Sequence, residues 1–268
     1  DSLRIIAGIG NVSLDGGLFD TGASSYGVNG FSILNSRLTY AARDSFNDGR
    51  SGNTAWLYSN RPLWDGFIAP AHPSPNYVAI NGLSLQSDSL HFCSIRDFHA
   101  KVSHLAFGTA DGWQLDNLKV SVSSDKENLN VEGFNLTTPH SALTLGISLP
   151  WRSLEEKQTD IAGLTLAGQI GKGDVRNLLN LSGMADLAER WPQTPIELYT
   201  RLSGNLQSVN IDTLTLGWPR MLELTARATI DHPTNLDREG NARFSLKTGN
   251  LSFFNNWMFP DSSLTIPN

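Results

Sequence analysis

The stretch INGLSL, Ile80–Leu85, runs apolar, two turn-prone residues, apolar, polar, apolar. The same figure returns as VNGFSI (Val28–Ile33), LDNLKV (Leu115–Val120), VEGFNL (Val131–Leu136), IAGLTL (Ile161–Leu166) and IDTLTL (Ile211–Leu216). In a regular strand, residues three apart point to opposite faces. The two apolar halves of each figure are therefore out of phase unless the middle pair forms a bulge or corner. Gly, Asn and Asp accept the backbone angles that such a bend demands. Each copy then reads as a strand that bends while its apolar side chains stay on one face. Six such bends predict a long sheet curled around that face.

The segments between the bends alternate with period two. Leu143, Leu145, Ile147 and Leu149 are interleaved with Thr144, Gly146 and Ser148. Ile196, Leu198, Leu202 and Leu206 form a second such set, and Leu222, Leu224, Ala226, Ala228 and Ile230 a third. These are the marks of strands buried on one side only. The copies are irregularly spaced, which argues against a solenoid of fixed repeat and for a meander of unequal strands. The expected fold is mainly β: a long curved, mostly antiparallel sheet folded into an apolar-lined half-pipe, β-taco-like. A closed β-sandwich is the alternative, because two packed sheets produce the same alternation.

Composition points the same way. Only 17% of the 268 residues are charged, so the residues that stabilise long helices are scarce. One short helical segment is expected near 174–191, carrying Val175, Leu178, Leu179, Met184, Leu187 and Trp191, with Asp174 as N-cap and Pro192 as stop. A break at Leu181-Ser182-Gly183 would divide it, and a helix of this size would plug one end of the sheet. Residues 1–268 read as one elongated segment of a larger protein. An irregular loop or insertion occupies 41–77, and the softest internal boundary falls at 151–160.

The net charge of −6, without any Lys/Arg run, argues against nucleic acid as a partner. A single cysteine, Cys93, excludes an internal disulfide. The cluster HFCSIRDFHAKVSH offers His91, Cys93, Asp97, His99 and His104. As strand residues, His99 and His104 would face opposite sides while His91 and Cys93 share one, so no metal site is expected. No nucleophile elbow, zinc-protease motif or phosphate loop occurs; GQIGKGD (Gly168–Asp174) and GIGNVS (Gly8–Ser13) break the relevant patterns. Acidic pairs such as Glu155/Glu156 and Asp125/Glu127 read as solvated surface. The tryptophans read as core fillers or loop anchors rather than a sugar platform. No enzyme, cofactor or catalytic residue is expected.

The order of parts from Tyr77 to Phe254 carries a resemblance. SLQSDSLHF is followed by GWQLDNLKVSV and ENLNVEGFNLTTPHSALTLGISLPW. Within the last, Leu129–Leu145 reads L-x-V-x-x-F-x-L-x-T-P-x-S-x-L-x-L. The DVRNLL helix, IELYTRLSGNLQSVNIDTLTL and MLELTARATIDHPTNLDREGNARFSLKT come next. This series resembles the periplasmic β-rich segment of the TamB/AsmA-like family. The resemblance implies a half-pipe that carries phospholipid acyl chains across the periplasm of a Gram-negative envelope. It implies an inner-membrane anchor outside this sequence, an outer-membrane Omp85-type partner, and a role in translocation and assembly of outer-membrane proteins. On that reading the lipid groove is lined by Leu83, Leu85, Leu118, Val120, Leu143, Leu145, Ile147, Leu164, Leu166, Leu198, Leu202, Leu222 and Leu224.

Overall fold

The structure, a computed structural model, describes residues 4–22, 24–41, 77–109, 112–155, 160–181, 189, 191–234 and 238–249. The irregular stretch expected at 41–77 lies almost wholly outside them. The strands are β1 (Arg4–Gly8), β2 (Asn11–Asp20), β3 (Ser25–Ala41), β4 (Tyr77–Ser94), β5 (Asp97–Thr109), β6 (Gln114–Ser124) and β7 (Asn128–Thr137). They continue with β8 (Ala142–Pro150), β9 (Ala162–Ile170), β10 (Ile196–Gly204), β11 (Ser208–Trp218), β12 (Leu222–Asp231) and β13 (Glu239–Thr248). Helix α1 (Lys172–Leu181) stands between β9 and β10.

All thirteen strands belong to one antiparallel sheet in which β3 to β13 follow in chain order. β1 and β2 lie end to end along β3, against its residues 37–41 and 25–34 respectively. The sheet is curved, open along both outer edges, and not a closed barrel. Among the described residues no second sheet packs on it, so the sandwich alternative does not describe the fold. The connector 151–160 does not separate two sheets, because β8 and β9 on either side of it pair directly.

Five of the six repeated figures bend the strand, four as bulges and Val28–Phe31 in step with three-residue steps on β2 and β4. Ile80 and Leu83, Val28 and Phe31, Leu115 and Leu118, Val131 and Phe134, and Ile211 and Leu214 each return to the same face after three residues. Gly82 and Gly133, at the turn of two of them, hold φ of 61° and 60°, which side chains larger than glycine adopt at a cost. The sixth figure is different. Ile161 precedes β9, whose register with β8 and β10 runs unbroken, so IAGLTL marks a strand start and not a bend. Three further bulges interrupt the alternation at Ile33–Ser36, Ser87–Leu90 and Val102–Leu105.

The hairpins share a capping device. At the β6–β7 turn, Asp125 Oδ1 accepts from the amides of Glu127 (2.7 Å) and Asn128 (2.6 Å). Asn205 does the same for Gln207 and Ser208 at the β10–β11 turn, and Thr138 for His140 and Ser141 at the β7–β8 turn. The amide bonds from Asn128 and Glu127 hold the Asp125 carboxyl below the ordinary 3.8 of an aspartate. Because the folded value is depressed, the stabilisation is present above about pH 3.8 and is lost as pH falls through the folded pKa. A carbon-detected NMR titration should place the Asp125 midpoint below 3.8; a midpoint at or above it would mean the turn is open in solution.

The helix expected near 174–191 is α1, displaced toward the N-terminus; residues 182–188, where a second helix would fall, lie outside the described ones. Asp174 is not its N-cap. It sits in the first turn, buried, where its carboxylate accepts hydrogen bonds from Thr138 Oγ1 (2.5 Å) and Ser141 Oγ. Ser141 Oγ in turn accepts from the amide of Gly171. The helix is thereby pinned to the β7–β8 turn. Asp174→Ala should strip two hydroxyls of their acceptor and cost about 1–3 kcal/mol. A drop in thermal midpoint is the expected readout, and an unchanged midpoint would show that the network does not hold the helix.

Candidate functional site

Register fixes which side chains share a face, since residues directly opposite in an antiparallel pair point the same way. From β8, Leu145 lies opposite Phe134 on β7 and Leu166 on β9, and Ile147 opposite Val131 and Leu164. Leu198 on β10 joins Gly168 to Leu216, and Leu202 joins Leu164 to Ile211. Leu216 continues to Leu224 on β12 and Leu246 on β13. In the other direction Leu136 meets Leu118 on β6, then Leu105 on β5, Leu85 on β4, Ile33 on β3 and Val12 on β2. One apolar face thus crosses the whole sheet. No Asp, Glu, Lys or Arg stands at any of these paired positions.

All thirteen residues named from the sequence fall on this face. Leu206, grouped with Ile196, Leu198 and Leu202 by alternation, does not continue their strand; it sits in the β10–β11 turn. The sequence reading also missed much of the face, including Leu14, Phe19, Phe31, Phe98, Val102, Leu105, Phe107, Phe134, Leu214, Phe244 and Leu246. For Phe31, Phe134 and Leu214 the signal was present, since each is the fourth residue of a repeated figure. β5 was hidden because Ser103-His104 breaks its alternation at a bulge.

Among the described residues the face has almost no cover, and Trp218 is the one buried large apolar side chain, 4% exposed. The other apolar positions in the middle strands are half-buried by their neighbours in the sheet, and toward the edges they are open, as with Phe244 at 76%. Trp218 owes its cover to the segment after the helix. The Trp191 ring lies 5.2 Å from it, and Trp218 Nε1 donates to Thr194 O at 3.0 Å. This cover is thus local to Trp218 and comes from Trp191 and Thr194, not from α1 itself.

Three serines sit on the apolar face and are buried: Ser36, Ser87 and Ser124. Ser36 Oγ accepts from Gly10 N (3.1 Å), Ser87 Oγ donates to Lys101 O (3.0 Å), and Ser124 Oγ donates to Ile95 O (2.9 Å). Ser36 and Ser87 lie at bulges, where the ladder leaves backbone groups unpaired. Their hydroxyls meet those groups without placing charge on the face.

The opposite face is polar and knit across strands. Ser13 and Ser32 meet at 2.7 Å, His104 Nδ1 and Asn117 Oδ1 at 2.7 Å, and Thr229 Oγ1 and Asn210 Oδ1 at 2.9 Å. Lys101 pairs with Asp88 at 2.9 Å; that hydrogen bond, with one from Ser103, lowers the Asp88 pKa. The histidine reading needs correction here. His99 and His104 share the polar face, because the bulge between Val102 and Leu105 restores the phase that five residues of regular strand would have inverted. His91 lies opposite His99, with Asp97 3.9 Å away, yet among the described residues no three of these groups gather at one point.

The far end is tied by Trp151–Leu154. Trp151 donates from its backbone N to Glu127 O (2.8 Å) and from Nε1 to Asp125 O (3.0 Å), and the Arg96 guanidinium lies 5.5 Å from its ring centre. Trp151 and the Trp191–Trp218 pair therefore belong to different turns and form no common platform. No known protein family, curated protein or solved structure matches the chain.

Proposed function

We propose that this chain is a segment of a bridge that conducts phospholipid between the inner and outer membranes of a Gram-negative envelope, with the acyl chains lying on the apolar face. The observation that carries the proposal is the uncharged face that runs through the strands of the sheet and, among the described residues, has almost no cover. Twelve strand positions, spaced about 4.8 Å apart, make it roughly 53 Å long. Each methylene withdrawn from water there contributes about 0.8 kcal/mol. The lining is nearly all Leu, Ile, Val and Phe, so neighbouring sites are similar in energy and a chain can slide between them. The polar face keeps the segment compatible with water, and the resemblance to the TamB/AsmA-like family supplies the periplasmic setting. In that setting an Omp85-type outer-membrane protein is the partner.

Native mass spectrometry of the purified chain, with organic extraction, tests the reading. Bound phospholipid in stoichiometric amount is expected. A lipid-free protein with one sharp cooperative unfolding transition would overturn it.

A second reading, a scaffold for insertion of outer-membrane proteins, draws on a different observation. Among the described residues, β13 and the β1–β2 pair each leave one strand edge without a partner in the sheet. Such an edge can template a client strand. Under this reading proline in β13 would be harmful and charge on the apolar face tolerated, the reverse of what lipid conduction requires.

A further inference from the structure

We propose that Arg227 and Arg243, with Asn210 and Asn241, bind a phosphate-type oxyanion on the polar face. The proposal does not rest on the lipid reading, since these residues stand on the opposite side of the sheet from the apolar lining. Arg227 on β12 and Arg243 on β13 are direct cross-strand partners. Residues so placed have Cβ atoms about 4.5–5.5 Å apart, and like charges there repel. Both are exposed, and neither makes an ion pair among the described residues. The same two strands do match opposite charges elsewhere: Lys247 Nζ lies 3.4 Å from Glu223 Oε2. An arginine pair with no ion-pair contact among the described residues is thus a specific feature of this rung, in a chain whose net charge is −6.

The surroundings suit an anion. The two arginines line an open cleft of about 410 Å³ together with Asn210, Asp212, Thr229 and Asn241. Asn210 Oδ1 accepts from Thr229 Oγ1, which directs its amide NH₂ group to be the free donor. The Asp212 carboxylate accepts from Ser203 Oγ at 3.0 Å, and with the two guanidiniums it leaves the cleft one positive charge in excess. Two planar guanidinium forks a strand spacing apart match the oxygens of one tetrahedral phosphate, which each can bind in bidentate fashion. The phosphate can come from a free anion or from a lipid headgroup.

The test uses the whole chain. Thermal unfolding and calorimetry are followed against inorganic phosphate, with chloride at equal ionic strength as reference. Co-sedimentation is measured with phosphatidylcholine vesicles, with and without phosphatidic acid. Phosphate should raise the midpoint saturably. R227Q and R243Q should each weaken its binding about tenfold or more, and R243K, which keeps the charge and loses the fork, should weaken it less. In phosphate-free buffer the glutamine variants should melt no lower than the parent, because a repulsion has been removed. Arginine-dependent response to inorganic phosphate identifies the free anion. Arginine-dependent binding to phosphatidic acid vesicles alone identifies a headgroup. If neither response depends on the two arginines, the proposal fails.

Discussion

If the apolar face conducts phospholipid as proposed, aspartate at Leu145 and Leu198 together is expected to remove bound phospholipid and leave the sheet folded. Both leucines stand on the apolar face, on β8 and β10, with β9 between them. An acyl chain crossing this region would have to lie against two carboxylates and strip them of water, at a cost of several kcal/mol per ion. The methylenes displaced from the wall lose about 0.8 kcal/mol each as well. Lipid recovered with the protein should fall at least tenfold, about 1.4 kcal/mol or more. Folding should suffer far less, because both residues are only half-buried and, among the described residues, no second layer packs on them. A change of about 1 kcal/mol per site is the expected scale in urea unfolding. Lipid retained at the parental level in a folded double variant would exclude the face as the conduit. Loss of folding would instead show that the face is an interior, covered by structure.

The second large effect concerns the backbone. Gly168 on β9 has φ of 156°, and a Cβ built there lies 2.1 Å from Ala142 O and 2.8 Å from Leu143 Cα. Those atoms are main chain of β8, so no rotamer change relieves the clash. Gly168→Ala must part β8 from β9 or twist the strand, and a loss of about 3 kcal/mol or more is expected. Gly146 provides the control: its Cβ position is open, so alanine there should alter stability by no more than about 0.5 kcal/mol. The comparison of urea midpoints decides the matter. Equal midpoints for the two variants would show that the β8–β9 pairing is looser than the register describes.

How much of this was legible in the sequence follows from what each signal encodes. Leu143, Leu145 and Ile147 announced β8 because alternation is a local property, and strand sidedness needs only a window of a few residues. Five bends were legible because Gly, Asn or Asp stood between the apolar halves of a repeated figure. At Ser87–Leu90 and Val102–Leu105 the same geometry is built on Asp88-Ser89 and Ser103-His104, and the break in phase looks like the end of a strand. That error turned His99 and His104 onto opposite faces. IAGLTL shows the converse, since its pattern is identical and only pairing with β8 and β10 reveals a strand start. Asp174 had the residue type of a helix cap, but its partners, Thr138 and Ser141, lie more than thirty residues earlier in the chain. The arginine pair was invisible for the same reason: sixteen residues separate Arg227 from Arg243, and only the register makes them neighbours.

The chain order of the strands has a consequence for how such a molecule is assembled and measured out. From β4 to β13 every strand pairs only with its neighbours in sequence. Each hairpin except β9–β10, whose connection carries α1, can therefore be added as it emerges, closing a short loop at small entropic cost and without waiting for distant segments. Assembly is a zipper that runs with the chain. It is also a ruler: inserting one hairpin adds two spacings of about 4.8 Å and moves every later strand along without altering its contacts. Span becomes a matter of counting hairpins, so the distance such a sheet covers can be reset by duplication or deletion of a unit.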